Sequence, residues 1–502
     1  MSYTLTFPSV SDTLYLLYEK GEQFIMKKRL IAIPALLLTL SLSIAGCIKN
    51  EPETVSVPDT IIEEVTETPI VAENVTEEPI IEEPVAEEIP VEEVPEYPYW
   101  WDLHDYNLDQ QVLSQDGEFK NLTLQPGNKP DEVYVTWFSR TSSRGKVTFE
   151  TDGLFHNITA KATTKGSISV PGYYRNSALI TGLESNTTYT YHLSNGGRQS
   201  PTYTYKTGDL YSTDFSFTIA GDPEIGLGDP EVLSGHRSIW RVVLNRMKTH
   251  IPDSSFIVTT GDQVAKPDST EHYDYFLDNS VLYSTPLVPV VGNHDSGTGF
   301  FGDHFSLPNM SSIGDESGSD GDYWFTKGNV LFMVLNNMCP QPTEVHEQFV
   351  SEAIEANPEA KWRIIISHYS PVTALERYLG TRESVIREYV YMGEVFDIDL
   401  FIGGHDHVYT RGHFIDEDGD PLEGSELAYE FDNPEYPLFV IFNGATDALL
   451  REPDEDYPWS AISVQNGVPQ LSEVHVTEDS LTITTHDADS WATVDSFTIY
   501  KD

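Results

Sequence analysis

Five short apolar runs in the second half of the chain each stop at a polar group, and this repetition constrains the fold more than any other feature. Phe215–Ala220 stops at Gly221-Asp222-Pro223-Glu224, and Ser255–Thr260 at Gly261-Asp262. Leu287–Val291 stops at Gly292-Asn293-His294-Asp295, Trp362–Ile366 at Ser367-His368, and Leu400–Ile402 at Gly403-Gly404-His405-Asp406-His407. Between the first two runs, Ile239, Val242, Val243 and Met247 recur at the spacing of a helix with one apolar face. Strands alternating with helices give an α/β sheet whose loops converge on the carboxyl edge, where ligands bind.

Each polar group has an ordinary reading when taken alone. An Asp after a strand is a turn or a helix cap, and a lone His is satisfied packing. Five successive strand ends carrying Asp, Asp, Asn-His, His and His-x-His are another matter, and four of them are introduced by glycine. Glycine there permits positive φ and close backbone approach to a bound ion. The set predicts a shared metal site. Carboxylate and amide oxygens with imidazole nitrogens suit Mn, Fe, Co or Zn, not Cu(I) or an iron–sulfur cluster. Six or seven ligands exceed the needs of one tetrahedral ion. A carboxylate can bridge two ions about 3.5–4 Å apart, the arrangement that serves attack on phosphorus.

The chain's 502 residues leave room for more than one domain. Its 29 Lys+Arg against 80 Asp+Glu give a net charge of −51. Such a balance excludes a nucleic-acid-binding surface, which needs cations to displace counterions, and a basic face for anionic lipid. Two cysteines allow at most one disulfide and no thiolate zinc cluster.

The charge is unevenly spread. Residues 51–100 hold 16 acids and no base, and residues 101–502 carry −37. The Pro/Glu-rich stretch 48–100 cannot bury enough apolar surface to offset chain entropy, so a disordered acidic stalk is expected. Ahead of it, Met26-Lys27-Lys28-Arg29, an uncharged run from Leu30 to Gly46, and Ile44-Ala45-Gly46-Cys47 resemble a lipoprotein signal peptide over 26–47, with Cys47 lipidated after cleavage. The other reading is a membrane anchor, for which a 17-residue run is at the short limit. Either way the positive-inside rule puts the remainder on the extracellular face of a prokaryotic membrane. Residues 1–25 precede a signal that has its own methionine and are read as a mis-assigned upstream extension.

From 116 to 208 the pattern changes to short alternating runs, among them Val133–Phe138, Lys146–Glu150, Ala178–Leu183 and Thr187–Leu193. They predict an antiparallel β-sandwich. Gly182 to Tyr191 resembles the F-strand region of fibronectin type III domains. No titratable cluster appears in this part, which reads as a spacer or a wall for its neighbour.

The order D-x-x…GD…GNHD…H…GHxH resembles that of the calcineurin-like metallophosphoesterases. Following a fibronectin-like domain, it is similar to the purple acid phosphatase branch, over about 120–500. The resemblance implies a four-layer α/β/β/α sandwich at 212–502, preceded by an all-β fibronectin III-like sandwich. It implies that Asp262 bridges two divalent metals, that Asp222 and His407 hold the first, and that Asn293, His368 and His405 hold the second. His294 would lie beside the phosphate and protonate the leaving oxygen, with a metal-bridging hydroxide as nucleophile. The implied substrates are phosphomonoesters; the alternatives are phosphodiesters or nucleotides, or a non-catalytic surface binding protein that reuses the fold.

Two positions depart from the family pattern. The tyrosine that gives purple enzymes their colour is replaced by Ala265, so colour and a stable Fe(III) are not expected. Glu224 stands where many members have a metal-ligating His; it either completes the first metal's shell or caps a helix and points to solvent. Tyr369 and His413 are candidates for the substrate pocket, with His304, His346 and Arg411 as weaker ones. Cys339 reads as a buried apolar residue. Gly444-Ala445-Thr446 is expected to return a loop over the site. The runs at 471–476, 481–485 and 497–500 are expected to close the second sheet.

Overall fold

The computed structural model describes residues 117–502, apart from 152–156, 228–229, 316–319, 339–342, 423–426 and 455–456. The upstream extension 1–25, the signal segment 26–47 with Cys47, the stalk 48–100 and Cys339 lie outside the described residues. No helix among the described residues is long and apolar enough to cross a membrane.

Nine strands come first: β1 (Phe119–Pro126), β2 (Glu132–Ser139), β3 (Lys146–Glu150), β4 (Ile158–Lys161), β5 (Thr163–Gly166), β6 (Tyr174–Thr181), β7 (Thr188–Asn195), β8 (Arg198–Gln199) and β9 (Tyr203–Lys206). They form two antiparallel sheets, β1-β2-β6-β5 and β4-β3-β7-β8, with β9 also on β7. Trp137, Phe149, Tyr191 and Tyr203 fill the space between them and are fully buried. The fibronectin-like segment works as a corner: the Tyr189 hydroxyl accepts the Glu184 N–H at 2.9 Å, fixing the turn into β7.

The α/β region contains β10 (Phe215–Ala220), α1 (Pro230–His250), β11 (Ile257–Thr259), α2 (Thr270–Leu277), β12 (Leu287–Pro289), α3 (Phe300–His304), β13 (Tyr323–Lys327), β14 (Val330–Val334), α4 (Thr343–Ala356), β15 (Trp362–Ile366), α5 (Leu379–Phe396) and β16 (Leu400–Gly403). It continues with β17 (Tyr409–Gly412), β18 (Glu430–Asp432), β19 (Leu438–Ile441), β20 (Ser460–Val464), β21 (Gln470–Val476), β22 (Ser480–Asp487) and β23 (Thr493–Tyr500). Two seven-stranded sheets result, β12-β11-β10-β21-β22-β23-β18 and β13-β14-β15-β16-β19-β17-β20.

Period-two alternation assigns the faces of the second sheet. Val330, Phe332, Ile364, Ile366 and Ile402 turn inward, in one core with Phe217 of the first sheet, Phe256 just ahead of β11, and Ile239, Val243 and Met247 of α1. Leu331, Met333, Ile365 and Phe401 turn outward onto Phe349 of α4 and Tyr389 of α5. Helix, sheet, sheet, helix is therefore the layer order.

The C-terminal strands do not close the second sheet. β21 pairs antiparallel with β10 along its whole length, from Phe215↔Val476 to Ala220↔Leu471, and β22 and β23 extend that first sheet. The parallel partner β11 covers only one edge of β10, and the returning chain satisfies the other edge's backbone groups.

The β-sandwich packs closely on the α/β region. Arg175 donates to the carbonyls of Asp303 and Phe305 at 2.8 Å and to Ser306 Oγ at 2.9 Å. Asp303 Oδ2 accepts from Ser167 Oγ, Ser169 Oγ and the backbone N–H groups of Ile168 and Ser169. The Tyr191 hydroxyl donates to the Tyr283 carbonyl at 2.6 Å. The clamp grips α3 and the residues that follow it, a few positions beyond Asn293 and His294.

Candidate metal centre

All five strand ends meet at one edge. β10, β11 and β12 are parallel neighbours in one sheet, as are β15 and β16 in the other. Parallel strands bring their carboxyl ends to the same side, so Asp222, Asp262, Asn293, His368, His405 and His407 converge.

Donor atoms of Asp262, His368 and His405 lie within 4.8 Å of one another, and so do those of Glu224, Asp262 and His294. Asp262 Oδ2 is 3.3 Å from His368 Nε2, and Asn293 Oδ1 is 3.1 Å from the same nitrogen. His407 Nε2 is 3.5 Å from Asp222 Oδ2 and 3.4 Å from Glu224 Oε2. Glu224 is 1% exposed. Its carboxylate faces the cluster, and the solvent-facing cap is not what forms.

Backbone groups aim the imidazoles. His368 Nδ1 bonds the Thr260 carbonyl at 2.8 Å, and His407 Nδ1 bonds the Ala448 carbonyl at 2.6 Å. Both rings therefore carry the proton on Nδ1 and present Nε2 to the cluster, as metal-ligating histidines held by a backbone carbonyl usually do. His405 is held by rings instead, 4.6 Å from Tyr369 and 4.1 Å from Tyr378. His294 Nδ1 bonds the Ala265 carbonyl at 3.0 Å, which leaves Nε2 to face Glu224 Oε1 at 3.3 Å. Asp222 accepts from Thr260 Oγ1 and from the His405 N–H, both at 2.6 Å.

The local backbone is unusual. Asp262, Glu224, His405 and His407 all have positive φ, at 45°, 41°, 75° and 57°. Strained side-chain-bearing residues gather at functional sites. The glycines serve mainly close approach: a Cβ on Gly292 would meet Asp262 Oδ1 at 2.1 Å, and one on Gly404 would meet Asp222 Oδ1 at 2.3 Å. Gly261 alone among the introducing glycines has positive φ, 115°.

The electrostatics suit cations. Burial, with Asp262 and Asp222 nearby, pushes Glu224 up to about 8. Burial disfavours charge on His368, yet Asp262 and Asp222 outweigh it and lift the imidazole to about 10. Three buried carboxylates thus repel one another and raise neighbouring basicity. Glu224 Oε2 has no hydrogen-bond donor. Cations held between these carboxylates and the pinned Nε2 atoms resolve both features, so the residues fit a divalent pair of the transition-metal class.

Other residues follow local logic. Tyr369 stands beside His405, at the centre. His413 does not: β17 runs antiparallel to β19, with Thr410 opposite Ile441 and Arg411 opposite Val440. The strand leads away from the carboxyl edge and leaves His413 about 10 Å along it from Thr410. Arg411 and Tyr409 both bond the buried Asp495, joining β17 to β23. His304 stacks on Tyr273 at 4.0 Å, and His346 pairs with Asp322 at 2.7 Å. The expected return loop is present: Ala445 N–H donates to the Asp222 carbonyl and Thr446 Oγ1 to the Pro223 carbonyl. Two site neighbours had no sequence signal, Tyr378 and Thr260. Asp295 was visible within GNHD, and it ties the Asp262 and Asn293 loops by accepting from Gly292 and Gln263 N–H.

Comparison with known proteins agrees with this geometry. Residues 119–207 match the family described as purple acid phosphatase, N-terminal domain, and residues 207–409 match the calcineurin-like phosphoesterase family. Uncharacterized proteins from two strains of Mycobacterium tuberculosis are 24% identical over 287 residues, 50% of this chain and 51% of theirs. The chain thus spans about half the length of the curated relatives it matches. A purple acid phosphatase from yellow lupin (Lupinus luteus) seeds superposes with a TM-score of 0.63 at 16% identity, over 76% of this chain and 74% of that one. PhoD superposes at 0.50 with 14% identity, over 76% and 90%.

Proposed function

We infer, for a chain that belongs to the calcineurin-like metallophosphoesterases and carries the purple acid phosphatase N-terminal domain, that it hydrolyses phosphoesters, with phosphomonoesters as the main class. The carrying observation is the convergence of Asp222, Glu224, Asp262, Asn293, His368, His405 and His407, with Nε2 of His368 and His407 presented by backbone carbonyls. In this reading Asp222, Glu224 and His407 would hold one divalent ion and Asn293, His368 and His405 another, with Asp262 available to both. Bound there, the ions supply Lewis acidity toward phosphate oxygens and lower the pKa of water.

The chain's own residues do the rest. The His294 N–H holds Asp262 Oδ1 at 2.7 Å, coupling the two loops. The His294 side chain is 35% exposed, so substrate can reach it. Its Nδ1 is committed to the Ala265 carbonyl, so Nε2 is the atom that can stabilise phosphate charge and carry a proton to the leaving oxygen. Phosphodiesters and nucleotides remain the second reading, because the same donor set serves both. Parallel assays of p-nitrophenyl phosphate and bis-p-nitrophenyl phosphate with Mn, Zn, Co and Fe decide between them. Metal bound without hydrolysis of either ester would favour a binding protein.

The basic segment at 27–29, the apolar run and Cys47 support a lipid anchor on the extracellular face. Mass analysis of the mature N-terminus, which should begin at an acylated Cys47, tests it.

A further inference from the structure

Two arginines flank Tyr378, a ring that packs on the candidate ligand His405, and neither has a polar partner among the described residues. The Cζ atoms of Arg377 and Arg451 lie 5.1 and 5.9 Å from the Tyr378 ring centroid. That ring is itself 4.1 Å from His405. Arginines elsewhere are hydrogen-bonded into the protein, as Arg175, Arg382 and Arg411 are. Arg377 and Arg451 make no hydrogen bond and no ion pair among the described residues, and Arg451 Nε is withdrawn from solvent without an acceptor. Residues 101–502 contain 61 acids and 24 bases, so a guanidinium that meets no carboxylate is an exception in this chain.

Thr373 Oγ1 donates to Asp406 Oδ2 at 2.6 Å, between the two candidate ligands of the GHDH loop. Glu376 N–H donates to Asp454 Oδ2 at 2.7 Å, and Asp454 N–H to the Ala374 carbonyl at 3.0 Å. The segments bearing Arg377 and Arg451 are thereby tied to each other and to the loop of His405 and His407.

We propose that Arg377 and Arg451, backed by Tyr378, form a subsite for a second phosphate group on the leaving portion of the substrate. The proposal rests on the phosphohydrolase reading above. The scissile phosphate belongs to the metal-ligand cluster, and the arginines lie outside it, on the His405 side. Guanidinium presents paired donors that match phosphate oxygens, and an aromatic face helps to orient it. Within a broadly anionic surface, this local positive rim draws in an anionic leaving group that the overall field repels.

The test uses three matched substrates: 1,3-propanediol monophosphate, its bisphosphate, and 3-carboxypropyl phosphate. Wild-type protein is expected to show a kcat/KM at least about ten-fold higher for the bisphosphate than for the monophosphate. Arg451→Gln and Arg377→Gln should each reduce that ratio about five-fold or more, with partial recovery in Arg451→Lys. Calorimetric binding of a non-hydrolysable bisphosphonate of matching length should weaken in parallel, a readout independent of turnover. A wild-type ratio near one, or variants that lower all three substrates equally, overturns the subsite. Preference for the carboxylate over the bisphosphate overturns the assignment to phosphate. Failure to hydrolyse even the monophosphate, with metal bound, strikes the phosphohydrolase reading instead.

Discussion

Glu224 places Oε1 3.3 Å from Nε2 of His294 and Oε2 3.4 Å from Nε2 of His407. One carboxylate therefore connects the candidate proton carrier to a candidate ligand. If it also binds metal, Glu224→Gln keeps the shape and removes the charge. Bound metal and kcat should both fall, the rate by about 10–100-fold. Wild-type metal content and rate in this variant would remove Glu224 from the ligand set.

His294 is expected to act at Nε2, with Nδ1 held by Ala265. His294→Asn should lower kcat by about 10²–10⁴-fold while metal content holds. A further readout separates proton delivery from placement: esters with a good leaving group, such as p-nitrophenol, should lose less rate than alkyl esters. Equal losses on both would argue against proton delivery.

The five strand ends were legible because ligand chemistry and strand termination share one stretch of sequence, as in Gly261-Asp262 and Gly292-Asn293-His294. Glu224 was ambiguous because its orientation depends on a φ of 41° that composition does not reveal. His413 shows the converse. It is six residues after His407, yet an antiparallel strand carries it away from the edge. Tyr378 and Arg451 are brought together by loop contacts across more than seventy positions, and no local pattern records such a meeting. The C-terminal strands were legible as strands, but the sheet they join depends on which edge of β10 lies open.

The interdomain clamp should matter to stability. Arg175 is buried and serves three acceptors. Arg175→Met leaves the carbonyls of Asp303 and Phe305 without this donor, at a cost of about 2–4 kcal/mol. Urea unfolding of the metal-loaded protein measures it. A loss below about 0.5 kcal/mol would mean that the clamp adds little.

His304 gives the acid side of stability a defined shape. Burial lowers its pKa from 6.5 to about 4. The unfolded chain therefore binds this proton first as pH falls, so stability drops between about 6.5 and 4 and levels off below. The full effect is about 3 kcal/mol. His304→Gln should flatten that part of the curve, measured as unfolding free energy against pH. An unchanged slope would show that the buried imidazole is not its source.

The −37 carried by residues 101–502 repels phosphate substrates at long range, while capture near the metals is short-range. Moderate inert salt should therefore lower KM by screening the acidic surface. A KM that climbs steadily with salt would contradict this.

Asp262 is the centre of the account, since it accepts the His294 N–H, lies 3.3 Å from His368 Nε2 and belongs to both candidate ligand groups. The most direct measurement is metal content together with p-nitrophenyl phosphate turnover in Asp262→Asn. Bound metal should be lost and kcat should fall by at least about 10³-fold, or roughly 4 kcal/mol. Turnover within a few fold of wild type, with metal retained, would contradict it.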